Sequence, residues 1–158
     1  MKKPELLAPG GSFAAAFQAF EAGADGVYLG LADFSARKAA VNFSMEQLRR
    51  IRELARRRGR TIYVTLNTII REDEMARAAR LCAWLEALEI DGVIVQDVGL
   101  LSLLARSFPR LAVHASTQMA IHNDSGLQFA EEAGIRRVVL SRELTLEQVK
   151  ALRDRHPA

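Results

Sequence analysis

Short β-forming runs alternate with amphipathic helical stretches about six times along this chain, with no linker or low-complexity run between them. Strands separated by helices cannot close into hairpins, so they pair in parallel through helical crossovers. The alternation therefore restricts the chain to the α/β class. Strands are expected at Glu5–Ala8, Gly26–Gly30, Thr61–Asn67, Gly92–Asp97, from Leu111 towards Gln118, and at Arg137–Ser141.

The helices between them carry their own punctuation. Ser12 is placed to cap a helix through Phe13, Phe17 and Phe20, closed by Gly23. Ser44-Met45-Glu46-Gln47 and Thr145-Leu146-Glu147-Gln148 are capping boxes. The acidic turn Glu72-Asp73-Glu74 opens a long helix ending near Glu89, and a short helix over Leu100–Ser107 stops before Pro109. Asn123-Asp124-Ser125 caps a helix reaching Gly134. The longest connection, Leu31 to Phe43, carries Ser35, Arg37, Lys38 and Asn42, and loops of that length in such folds usually serve function.

Two architectures fit strict alternation, an open doubly wound sheet and a closed barrel. The turn after the first strand, Pro9-Gly10-Gly11-Ser12, does not match the G-x-G-x-x-G of a dinucleotide fold. The stretch Leu111-Ala112-Val113-His114-Ala115-Ser116-Thr117-Gln118 puts Val113 and Ala115 on one face and His114, Ser116 and Gln118 on the other. An inside face that turns polar in most strands suits a barrel. With 158 residues the chain supplies about six of the eight βα units, where about 250 residues are typical. The expected fold is an incomplete parallel (β/α) barrel of TIM type, one domain over residues 1–158, truncated before its last strands. Its unpaired first and last strands invite self-association or pairing with the missing strands.

Composition excludes several classes. No apolar run approaches the roughly 20 residues of a membrane span, and the start, Met1-Lys2-Lys3-Pro4-Glu5, has no signal-peptide core, so a cytoplasmic location is expected. Cys82 is the only cysteine, at an apolar helical spacing with Met75, Ala78 and Leu85, which points to core packing. The net charge is only +3, much of it in Arg56-Arg57-Arg58-Gly59-Arg60. Those arginines read first as cations at a helix C-terminus and second as a phosphate-contacting patch.

Candidate chemistry gathers at the C-terminal strand ends, where barrels keep their sites. These are Tyr28 and Gly30, Thr65 and Asn67, Gln96 and Asp97, His114, Ser116 and Gln118, then Ser141, Arg142 and Glu143. Familiar catalytic templates fail. His114 and Ser116 stand two apart on one strand face, about 7 Å by strand rise, with no Gly-flanked elbow. The three histidines, His114, His122 and His156, lack H-E-x-x-H spacing, and no metal site is legible. Asp97 and Glu143 are candidate paired carboxylates.

Pro4-Glu5-Leu6-Leu7-Ala8-Pro9-Gly10-Gly11, Ala24-Asp25-Gly26-Val27-Tyr28-Leu29-Gly30, Phe34-Ser35-Ala36-Arg37, Val64-Thr65-Leu66-Asn67-Thr68, Val95-Gln96-Asp97, His114-Ala115-Ser116-Thr117-Gln118 and Leu140-Ser141-Arg142-Glu143-Leu144 together resemble the collagenase-like peptidases of family U-32, in order and nearly end to end. The resemblance implies the N-terminal part of the family's barrel-like domain, from bacterial cytoplasmic proteins. It implies either oxygen-independent hydroxylation of RNA bases or a quinone precursor, or peptide-bond hydrolysis; a non-catalytic binding or assembly module is the rival from another class. It also implies an iron–sulfur cluster in the full-length domain, held by cysteines that follow the matched region, and none within this chain. On this reading His114, Glu143 and Asp97 are the catalytic candidates. Tyr28, Arg37, Asn67, Gln96, Ser116, Gln118 and Arg142 are the residues for a small-molecule or RNA substrate. His114 is the acid–base candidate and Arg142 suits an anionic group.

Overall fold

The computed structural model describes residues 3–36 and 42–156. Six strands and six α-helices alternate: β1 Leu7–Pro9, α1 Phe13–Glu21, β2 Gly26–Gly30, α2 Met45–Arg57, β3 Thr61–Leu66, α3 Glu72–Ala87, β4 Gly92–Val95, α4 Val98–Ser107, β5 Val113–Ala115, α5 Asp124–Glu132, β6 Arg137–Val138 and α6 Leu146–Arg155. All pairings are parallel and the strand order follows the chain, β1-β2-β3-β4-β5-β6. This is an incomplete TIM-like (β/α) barrel, with β1 and β6 each paired on one side only.

Register explains the two faces. Gly30, Thr65, Ile94, His114 and Arg137 are linked partner to partner across five strands and so project to the same side. Tyr28, Tyr63 and Gly92 form the layer before them. The opposite side of the sheet is apolar: Val27, Ile62, Val64, Leu66, Val93 and Val95 are completely buried. They pack in one cluster with Ala16, Leu48, Ile51, Ala55, Ala78, Cys82, Leu85, Leu100 and Leu104 of the helices. Each of the valine, leucine and isoleucine side chains contributes roughly 1.5–3 kcal/mol of burial. Helix and strand thus share a dry outer layer, which leaves the inner face free to be polar.

Helix ends follow the sequence signals. Ser12 accepts from Ala15 N, and the capping boxes at Ser44–Gln47 and Thr145–Gln148 are both formed. Gly23 takes φ +96° just past α1, a conformation that side chains rarely adopt.

Most strand boundaries differ from expectation: β3 ends at Leu66 rather than Asn67, β4 at Val95 rather than Asp97, and β5 covers only Val113–Ala115. The first strand begins at Leu7 rather than Glu5, because Leu6 N is held by the Asp25 carboxylate at 2.9 Å and the Glu5 side chain turns inward. The sixth strand is only Arg137–Val138; beyond it Val139 N still reaches Ala115 O, but Ser141 N turns to Ile121 O. Helix α4 starts at Val98 instead of Leu100, since Asp97 caps it.

Candidate functional site

The C-terminal strand ends enclose a cavity of about 440 Å³. Its wall includes Tyr28, Ser35, Asn42, Thr65, Asn67, Ser116, Thr117 and Arg142, with Gly10, Gly11 and Gly30 supplying bare backbone. Leu7 of β1 and Val139 beyond β6 form its apolar side.

The 31–43 connection is tied down where it meets the sheet. Phe43 N donates to Gly30 O at 3.0 Å, and Leu31 and Phe43 form a parallel bridge. Ser35 is buried, its Oγ 3.3 Å from Thr65 Oγ1, which also donates to Leu29 O. A Cβ on Gly30 would lie 2.5 Å from Ser35 Oγ, so this close approach requires glycine. Asn67 accepts from Ala36 N at 3.2 Å and donates to Gln118 Oε1 at 2.8 Å. One amide therefore joins the loop, β3 and the turn after β5. Ser116 Oγ accepts from Gln118 N and opens a short 3₁₀ turn, Thr117–Met119.

The candidate residues divide between several places. Tyr28, Asn67, Ser116 and Arg142 line the cavity, and Gln118 joins them through Asn67. Gln96 is half-buried and Glu143 exposed, neither on the cavity wall. Arg37 lies outside the described residues. Asp97 uses both carboxylate oxygens on backbone, taking Leu100 N at 2.8 Å and Ile70 N at 3.2 Å. It fastens α4 to the connection that leads into α3.

His114 points into the barrel but does not line the cavity. It is 5% exposed, and its ring lies 4.7 Å from that of Tyr63 at 46°. Burial, with Arg137 nearby, pulls its pKa down to about 4. The imidazole is consequently neutral at physiological pH, and among the described residues it has no hydrogen bond.

Towards the N-terminal end of the strands lies a polar floor that the sequence pattern did not reveal. Glu5 accepts from Thr61 Oγ1 and from Tyr63 OH, each at 3.1 Å, and pairs with Arg137 of β6. Arg137 also stands 5.3 Å from the Tyr63 ring centre. Burial opposes the Glu5 charge, but Arg137, Thr61 and Tyr63 outweigh it and hold the carboxyl below its ordinary range. Ser35, Asn42, Thr65, Thr117 and the Gly10-Gly11 turn belong to the cavity as well. Strand phase marks Thr65 beforehand; the others depend on how the loops fold back.

The sequence pattern of peptidase family U32 matches residues 11–158. The chain belongs to that family. Over 148 residues the U32 chain is 40% identical to the 23S rRNA 5-hydroxycytidine C2501 synthase of Escherichia coli K12, covering 94% of this chain and 22% of that protein. It is 34% identical to tRNA hydroxylation protein P1 of Bacillus subtilis 168, covering 98% of this chain and 36% of that protein. The chain thus spans between about a fifth and about a third of the length of these relatives. A solved U32 peptidase superposes with a TM-score of 0.75 at 20% identity, over 98% of this chain and 68% of its own, which supports the shared fold.

These residues do not fit an iron–sulfur cluster. Cys82 is buried on α3 among apolar side chains, and burial pushes its thiol up to about 12. Among the described residues no group of three or more His, Cys, Asp or Glu is placed to hold a metal ion.

Proposed function

We propose that this U32 domain is the substrate-receiving barrel of an RNA-base hydroxylation protein, its cavity admitting the base. The observation that carries this reading is the character of the wall: Ser35, Asn42, Thr65, Asn67, Ser116 and Thr117 offer neutral donors and acceptors, Tyr28 a ring, and Arg142 a cation. A carboxylate is missing from that wall as described. Such a lining suits an uncharged polar heterocycle joined to an anion, with Tyr28 for stacking and Arg142 for the phosphate. Asn67 and Gln118, already holding each other, orient the base edge. His114 serves behind the wall as a neutral imidazole, Glu143 lies at the rim, and Asp97 maintains the loops. The names of the rRNA and tRNA relatives point the same way. A cytoplasmic setting, where such RNA is found, accompanies this reading.

Peptide hydrolysis has less behind it. Ser116 Oγ is engaged with Gln118, and His114 faces Tyr63 instead. The test is nucleoside mass spectrometry of tRNA and rRNA from cells whose full-length gene carries Asn67→Ala with Arg142→Ala. Loss of hydroxylated pyrimidine nucleosides is expected. Unchanged nucleosides alongside Ser116-dependent collagen cleavage would overturn the proposal.

A further inference from the structure

Residues 45–60 contain seven arginines and two glutamates in a chain whose net charge is only +3, so the remaining sequence is on balance acidic. The structure sorts these cations. Arg52 pairs with Asp91, Arg58 with Glu21 and Arg60 with Asp25, each matched one to one. The outer face of α2 is different. Glu53 is shared between Arg56 at 3.1 Å and Arg57 at 2.9 Å. Among the described residues Arg49 and Arg50 have no carboxylate partner; Arg50 lies 5.2 Å from the centre of the Phe13 ring. Arg49, Arg50, Glu53, Leu54 and Arg57 line a groove of about 380 Å³ along this face. Arg49, Arg50, Arg56 and Arg57 thus stand against the two carboxylates of this helix, Glu46 and Glu53, leaving a local surplus of positive charge.

The position of this surplus gives it a direction. Asn42 lines the cavity just before Ser44 caps α2, so the amino end of α2 stands at the cavity rim. Counting 1.5 Å per residue, Arg49 lies about 6 Å and Arg57 about 18 Å along the helix from that end. The arginines form a track that leaves the rim and runs down the outer wall.

We propose that the outer face of α2 is a docking track for the phosphate backbone of single-stranded RNA whose base enters the cavity. The inference rests on the RNA reading of the cavity but concerns a separate surface. Guanidinium groups that lack a carboxylate of their own are available for phosphate, whereas those matched one to one are not. The contact is with backbone, so it positions RNA without selecting sequence.

The test is fluorescence anisotropy of the 158-residue protein with a 5′-labelled mixed-sequence single-stranded RNA, across 50–200 mM salt. Arg49→Gln with Arg57→Gln is expected to make the slope of log affinity against log salt shallower by about 1.4, near 0.7 per arginine. Arg49→Lys with Arg57→Lys should restore most of it, since the charge is retained. Arg80→Gln, on α3 and outside the cavity, should leave the slope unchanged. An unaltered slope in the glutamine pair, an equal change from Arg80→Gln, or no RNA binding at 50 mM salt would overturn the track. So would arginine-dependent pelleting with phosphatidylglycerol vesicles in the absence of RNA binding. If nucleoside hydroxylation proves independent of Asn67 and Arg142 while the slope still follows α2, the cavity reading fails and the track stands.

Discussion

His114 illustrates how a residue chosen for its titration can end with its titration removed. Its ring is packed on Tyr63 in the sheet interior, with Arg137, Arg136 and Glu5 as the charges that act on it. Unfolded, the imidazole gains a proton near the ordinary 6.5; folded, it does so only near 4. Between those values the unfolded state binds the extra proton, so this contribution to stability is complete above 6.5 and lost as pH falls through 4. By pH 4 the loss approaches roughly 3 kcal/mol. Urea unfolding at pH 7.0, 5.5 and 4.5 should show it, and His114→Leu should remove most of that fall. A variant with the same acid response as the parent would mean that the imidazole is not buried in solution.

At the scale of elements, Asp97 is the informative case. Asp97→Ala should cost about 1–2 kcal/mol, because it deprives α4 of its cap and leaves Ile70 N without its acceptor. Asp97→Asn keeps an acceptor and should cost less than half as much. Thermal unfolding measures both, and an equally large loss in Asn would point to the charge rather than the cap. The sequence carried much of this level. Alternation in Thr61-Ile62-Tyr63-Val64-Thr65-Leu66 announced both faces of β3, and the two capping boxes located α2 and α6, because these signals act over a few residues. Asp97 was legible as the end of a strand, yet its bond to Ile70 crosses between elements and leaves no local pattern. Glu5 was similarly opaque: whether a carboxylate near a strand start turns inward depends on Arg137, which the chain brings back only in its sixth unit. The cavity was half visible, since strand phase picks out Thr65, Asn67 and Ser116, while Ser35 and Asn42 arrive by the fold of a long loop.

For the whole molecule, β1 and β6 are the sheet's two edges, and Leu7 and Val139 face the cavity on that open side. Leu6, just before β1, is 55% exposed. Unpaired strand edges beside apolar surface favour strand addition. Sedimentation velocity of the 158-residue chain at low micromolar concentration should show dimers or larger species. A clean monomer would mean that the edges are protected. The Glu5–Arg137 pair bears on a different matter, the order of assembly. Every strand neighbour is also a neighbour in sequence, so the sheet can grow one βα unit at a time as the chain emerges from the ribosome. Glu5 and Arg137 tie the first unit to the last, across 132 residues, and their pairing requires the intervening strands to be in place. It should act as a late latch, absent from the folding transition state. In denaturant-jump kinetics, Glu5→Gln should therefore accelerate unfolding several-fold while leaving the refolding rate almost unchanged.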